Sequence, residues 1–352
     1  MTRAAAPRGR EGAVKVDGGV SGLREAAAMA REQEAQNLDG LWSVETGHDP
    51  FLPLLVAAMA TERVELGTGI AVAFARSPMT TAVQANDLQL ASRGRFILGL
   101  GTQIKPHIEK RFSMPWSHPA ARMREYVLAL RAIWECWQQG SRLDFRGDFY
   151  THTLMTPFFS PGPNPHGPPK VFLAAVGSHM AEVAGEVADG LLVHPFTTAR
   201  YLEEVTLPAV QRGLERSGRR RHDFQLAATA FVVTGTEAER AAADTMVRSQ
   251  IAFYGSTPAY RGVLERHGWA DLQTELNGLS KQGRWTDMAA LVTDEILDAF
   301  AVVCDLDRAA DRLLDRWGAT VDRLGFYFPV TNDPGRRAAV VDALRAAPGR
   351  GA

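Results

Sequence analysis

The chain has 352 residues, 45% hydrophobic and 22% charged, the proportions of a folded globular protein with room for one large core or two average ones. Its 39 lysines and arginines against 40 acids exclude the global basic field that nucleic acid or an anionic membrane surface would need. Two cysteines without a CxxC pair exclude a disulfide framework and a zinc site, and no apolar run reaches the roughly 18 residues that span a bilayer.

Residues 1–12, "MTRAAAPRGREG", are small and basic but lead into no signal-peptide apolar region, so a disordered tail of a cytoplasmic protein is expected. A first strand is expected over Val14–Asp17, then Gly18, Gly19 and a helix capped by Ser21. Gly40–Glu45 reads as a second strand ending in the polar group Glu45, Thr46, Gly47 and His48, and a helix is expected over Pro53–Ala60.

The next stretch, "VELGTGIAVAFARSPMTTAVQANDLQLASRGRFILGLGTQ", is one βαβ unit. Its first strand is interrupted by Gly67 and Gly69, the mark of a bulge or a close backbone approach. Ser77 and Pro78 start a helix that Gly94 ends, and Phe96–Leu100 is a short apolar run of the kind buried on both faces of a parallel sheet.

A long loop from Ile104 to Pro119 precedes a helix that runs to Gly140, with Tyr126, Trp134 and Trp137 at core spacing. Arg142–Thr156 reads as a hairpin excursion and the proline-rich segment Pro157–Pro169 as irregular. Further strands are expected over Lys170–Val176, Gly190–Phe196, Phe224–Gly235 and Gly325–Pro329. Eight such strands alternating with helices predict an α/β chain folded as a (β/α)8 TIM barrel, with residues 246–299 as a helical insertion between strands 7 and 8. One barrel domain is expected over residues 13–335, followed by a C-terminal helix and tail over 336–352.

Barrel enzymes work at the C-terminal ends of their strands. The residues expected there are Asp17, Glu45, Thr46, Gly69, Ile70, Ala71, Thr102, Gln103, Gly177, Ser178, His179, His194 and Pro195. Glu45, in an apolar mouth, would have a raised pKa and supply a proton, or else sit salt-bridged to an arginine. His48 and His107 are the further acid–base candidates. His107 and Glu109 lack the downstream cysteine pair of a zinc deaminase, so no metal is expected. Neither "GTGIAV" nor "GLGTQI" completes a dinucleotide fingerprint, because Val72 and Ile104 stand where the third glycine belongs.

The segments "GTGIAVAFARSP", "GRFILGLGTQ" and "TPAYRGVLERHGW" resemble the bacterial-luciferase-like family, in particular its branch dependent on the deazaflavin coenzyme F-420, across residues 14–329. The resemblance implies a cis peptide at Gly69–Ile70 against the back of a tricyclic ring. It places Glu45 and Thr46 near that ring, where relatives carry Asp-His. It also implies a cofactor phosphate site at Val176, Gly177, Ser178 and His179, helped by His194 and Pro195. The implied activity is hydride transfer between the deazaflavin and a small organic substrate. The alternatives are an FMN-dependent monooxygenase served by a separate reductase, or a ligand-binding barrel without catalysis. A homodimer is expected from the same resemblance.

Overall fold

The computed structural model describes residues 14–327, 331 and 333–346, so the expected tail over residues 1–12 lies outside the described residues. Eight parallel strands close into a barrel: β1 (Lys15–Gly19), β2 (Gly40–Ser43), β3 (Glu65–Thr68), β4 (Phe96–Gly101), β5 (Lys170–Ala175), β6 (Gly190–Val193), β7 (Gln225–Val233) and β8 (Arg323–Phe326). Closure is the pairing of β8 with β1, Lys15 opposite Arg323 and Asp17 opposite Gly325. This is the expected (β/α)8 architecture.

Local chemistry sets the helix starts. α1 (Ala26–Ala35) begins later than expected: Gly22 takes φ 69, so the chain turns before the helix and Ser21 caps nothing. α2 (Phe51–Ala60) begins earlier, because Asp49 Oδ1 accepts the N–H groups of Phe51 and Leu52 at 2.8 and 3.1 Å. α3 (Pro78–Ala91) starts as read, with Ser77 Oγ accepting the Thr80 N–H at 3.1 Å. α4 (Pro119–Gln139) ends at Gly140 with φ 65, and its Tyr126, Trp134 and Trp137 are buried. α5 (Ser178–Val187) and α6 (Leu207–Arg216) continue the ring, and a helix over Pro334–Ala346 follows β8.

Between β7 and β8 the chain forms α7 (Glu237–Gly255), opened by a capping box between Thr236 and Glu239. Shorter helices follow over Ala270–Lys281, Trp285–Ala290 and Asp294–Phe300. They share a second apolar core with the barrel through Phe196, Phe231, Ile251, Leu276 and Phe300. Ala301–Val303 then pairs beside β7. Among the described residues no helix is long and apolar enough to cross a membrane, and no cluster of potential metal ligands occurs. Cys136 is buried and Cys304 partly exposed, and both are free.

The lower barrel interior is charged, which apolar patterning did not predict. Arg323 is fully buried at the start of β8, two residues before the expected strand. Its Nε and Nη2 donate to Asp17 at 2.8 and 2.7 Å, and its Nη1 donates to Glu65. Lys15 Nζ meets Glu65 at 2.6 Å, and Trp42 Nε1 donates to Asp17 at 2.9 Å. Burial opposes the charge on Arg323, but Asp17 and Glu65 outweigh it and hold the guanidinium above its ordinary range. Burial likewise works against Glu65, yet Arg323 and Lys15 bring its carboxyl down to about 2.

Replacing Arg323 by Met leaves Asp17 buried without its cation and Glu65 with Lys15 alone, and is expected to cost about 3–5 kcal/mol in urea unfolding. Glu65 has a folded pKa of about 2 against an ordinary 4.5. Its contribution is therefore complete above the unfolded value and is lost as pH falls from there toward the folded one. Glu65→Gln should flatten the acid limb of the stability–pH curve in that window; an unchanged limb would count against the pairing.

Candidate active site at the barrel mouth

Alternate residues of a strand share a face, so the barrel lining can be followed upward from the charged floor. Trp42, Ile97, Phe172, Leu192 and Ala227 form one apolar layer across the interior. The Trp42 ring lies over Gly67, where a Cβ would come within 2.3 Å of it. Above this layer most strands carry a small residue at the next inward position, Gly19, Gly69, Gly99, Ala174, Thr229 and Gly325, while β6 carries His194 there. A Cβ on Gly19 or Gly325 would meet nothing nearer than 3.6 Å, and Trp42, Gly69, Ile70, Ala174 and Leu192 are all partly exposed. The result is an open shelf with an aromatic floor.

Beside the shelf, the Gly69–Ile70 peptide bond is cis. Gly69 N–H donates to Ser43 O at 2.7 Å, and Ile70 O accepts the Glu45 N–H at 3.3 Å. The chain then pairs briefly with β4 through Ala71 and Val72.

Glu45 secures this segment. One of its oxygens accepts the Val72 N–H and Arg76 Nη1, both at 2.7 Å, and the other accepts Arg76 Nη2 at 3.0 Å. The pair is buried, with side-chain exposures of 15% for Arg76 and 7% for Glu45. Burial opposes the Arg76 charge, but the hydrogen bonds and charge of Glu45, with Asp49, hold it above its ordinary range. Of the two readings of Glu45, the salt bridge is the observed one. A carboxylate that accepts a bidentate arginine and a backbone N–H is a clamp, and the proton-donor reading is withdrawn.

The other expected residues divide into three groups. Asp17 is 2% exposed and lies beneath Trp42, bound to Arg323, so it supports the floor and does not reach the mouth. Thr46, His48 and His107 are exposed on the rim, and Arg111 of the His107–Arg111 helical turn donates to Thr46 O. Among the described residues no hydrogen bond joins either imidazole to Glu45. Thr102 and Gln103 are half-buried where β4 ends, with Gln103 at φ 58.

Val176, Gly177, Ser178 and His179 make the turn into α5. Gly177 caps that helix in extended conformation, no side chain caps it, and a Cβ there would meet nothing within 4 Å. Free N–H groups and the helix dipole therefore face an open approach, the arrangement an anionic group favours.

His194, one residue beyond the Val193–Ala175 pairing, stands beside that turn without a positive charge. Its Nδ1 accepts the Phe196 N–H at 3.0 Å, and its ring packs against Tyr254 and Tyr260 with centroids 4.7 and 4.9 Å away. Burial pushes the imidazole down to about 4, so at neutral pH it carries no charge for a phosphate. Pro195 beside it is partly exposed. Tyr254 and Tyr260 come from the insertion and Tyr327 from the end of β8, with the Tyr254 and Tyr327 hydroxyls 2.7 Å apart. None of these tyrosines was singled out from the sequence. The "TPAYRGVLERHGW" segment, which contains Tyr260, was the one available signal.

The sequence matches the model of the luciferase-like monooxygenase family over residues 5–323. The chain belongs to this family. It is 56% identical over 334 residues to an uncharacterised protein of Mycobacterium tuberculosis, covering 94% of this chain and 98% of that one. It is 28% identical over 309 residues to a 5,10-methylenetetrahydromethanopterin reductase of Archaeoglobus fulgidus, covering 85% and 88%. Its fold is similar to that of a coenzyme F-420-dependent tetrahydromethanopterin reductase from Methanopyrus kandleri, with TM-score 0.75, 20% identity and coverage of 96% and 98%. Luciferase-like enzymes are flavin- or deazaflavin-dependent oxidoreductases, and the shelf, the backbone beside it and the open start of α5 are features that suit such a cofactor.

If Glu45 is a clamp, Arg76→Leu leaves a buried carboxylate unpaired and should cost about 3 kcal/mol in urea unfolding. A loss under about 0.5 kcal/mol, the range of ordinary surface substitutions, would remove the clamp from the description.

Proposed function

We propose that this luciferase-like chain is a coenzyme F-420-dependent oxidoreductase that moves a hydride between the deazaflavin and a small organic substrate. The observation that carries the reading is the coexistence of an open shelf floored by Trp42 and an uncapped helix start at Gly177. One suits a flat ring and the other a phosphate on the same molecule.

When bound, the cofactor supplies the carbon that gives or takes the hydride. The chain's own residues do the positioning. Trp42 bounds the ring space from below, and the backbone at Gly69–Ile70 bounds it from one side. The Glu45–Arg76 pair holds that backbone through the Val72 N–H. The first-turn N–H groups of α5 take the phosphate, with Ser178 and His179 at the opening, and Thr102 and Gln103 line the end of β4. His194, Tyr254 and Tyr260 form the aromatic side of the mouth beside the insertion.

The preference for a deazaflavin over FMN rests on the relatives, since the Methanopyrus enzyme is described as dependent on coenzyme F-420. FMN is the second reading, favoured by the monooxygenase description of the family itself. Titrating the purified protein with each cofactor separates the two by absorbance and fluorescence. Coenzyme F-420 is expected to bind one per chain, at least about tenfold tighter than FMN, a gap of about 1.4 kcal/mol. The reverse order would assign the monooxygenase reading, and binding of neither would leave a non-catalytic barrel. Ser178→Asp should weaken the tighter ligand by placing a like charge at its phosphate.

The homodimer is proposed on a surface feature. Leu52, Leu55 and Met59 of α2 and Val83 and Leu90 of α3 are exposed large apolar side chains on adjacent helices. Light scattering on a Leu55→Glu, Met59→Glu variant should show a monomer where the parent chain shows a dimer.

A further inference from the structure

A folded chain keeps most of its large apolar side chains inside, so a stretch that presents several of them to water calls for a partner. Residues 149–169, between α4 and β5, carry no lysine, arginine, aspartate or glutamate in a chain that is 22% charged. Near their middle Leu154, Phe158 and Phe159 are 76%, 90% and 71% exposed. The two phenylalanine rings meet edge to face at 5.2 Å, and among the described residues no other aromatic ring lies against either.

The segment is braced at both ends. At its root Glu125 of α4 accepts the N–H groups of Asp148, Phe149 and Tyr150. At its return Asn164 is buried, donates to Asn86 O and Oδ1 at 3.2 and 3.0 Å, and gives its N–H to Gln138 Oε1 at 2.8 Å. Between them the Thr156 carbonyl accepts the N–H groups of Phe159 and Ser160, and Pro157, Pro161 and Pro163 fix φ around that turn. An arm held in this way has little freedom left to lose on binding.

The position of the arm points to what covers it. Its root meets α3 through Tyr126, whose ring packs on Tyr150 and whose hydroxyl lies 2.6 Å from Thr81 Oγ1, and it rejoins α3 at Asn86. It therefore runs beside the face where Leu52, Leu55, Met59, Val83 and Leu90 are exposed, on a helix pair whose α2 has no polar side chain from Phe51 to Ala60. At roughly 200 Å² for a fully exposed large side chain, these five positions offer about 500 Å², short of the ~800 Å² per partner of a stable interface. On the same measure the three arm side chains add about 450 Å² and carry the total past that threshold. A two-fold axis beside α3 lays the uncharged arm of each copy on the uncharged helix face of the other.

We infer, resting on the homodimer reading above, that residues 153–163 are a clasp: Phe158 and Phe159 of one copy seat against the α2–α3 face of a second copy and anchor the dimer. They supply the buried aromatic contact, and the helix faces supply the surface around it.

Sedimentation of the parent chain over a dilution series gives the dimer dissociation constant. Phe158→Ser, Phe159→Ser should raise it at least about a hundredfold. The urea midpoint of dilute, monomeric protein should stay that of the parent, because the two rings are exposed in the single chain. p-Benzoylphenylalanine at position 158 should, on irradiation, join a nitrogen-15-labelled copy to an unlabelled one, with the attachment inside residues 51–91. An unchanged dissociation constant, a lowered midpoint, or attachment elsewhere or within one copy would each overturn the clasp. The Leu55→Glu, Met59→Glu variant keeps the two readings apart. If it is a monomer while the serine variant dimerises as tightly as the parent, the arm falls and the dimer stands; a monomeric parent removes both.

Discussion

The structure depends on one buried cation. Arg323 opens β8, and its guanidinium bridges Asp17 of β1 and Glu65 of β3, so a single side chain ties the closing strand to two others. The geometry is bidentate on Asp17, which is how a guanidinium recovers the hydration it has lost. Asp17 accepts a further bond from Trp42 Nε1, and the guanidinium lies 5.6 Å from the Trp42 ring centroid. The floor of the mouth is therefore held from below by the same ion cluster that joins the barrel's first and last strands.

A second buried ion pair plays the matching part at the rim. Glu45 and Arg76 join the end of β2 to the chain beyond the Gly69–Ile70 bond, and Val72 N–H is drawn into the same carboxylate. Both pairs spend their charge on positioning. What they leave exposed toward the mouth is backbone, aromatic surface and a neutral imidazole. A luciferase-like barrel needs such an interior if the reactive atoms belong to a bound cofactor and the protein contributes orientation and exclusion of water.

Much of the scaffold was legible because its signals are local. Alternation of apolar runs with glycine and proline punctuation located all eight strands, and Ser77 with Pro78 marked the start of α3. The bend at Gly67 and Gly69 was legible for the same reason. Arg323 was not: a charged residue ordinarily marks exposure, and only partners 258 and 306 residues away make its burial tolerable. Asp17 was read as a mouth residue and Glu45 left between two roles because strand position alone does not say which partner a carboxylate meets. The surroundings of His194 were hidden for a similar reason. Its tyrosine neighbours are set by the insertion, whose docking leaves no periodic trace in the chain.

The insertion also separates two duties along the polypeptide. Trp42, the glycine-lined shelf and the α5 start belong to the barrel's regular strands and helices, while Tyr254 and Tyr260 arrive on helices outside that repeat. An exchange of residues 237–300 can therefore redraw what enters the mouth without touching the groups that would seat a redox ring. A lineage built on this plan can diversify its appetite by editing one segment while inheriting its engine unchanged.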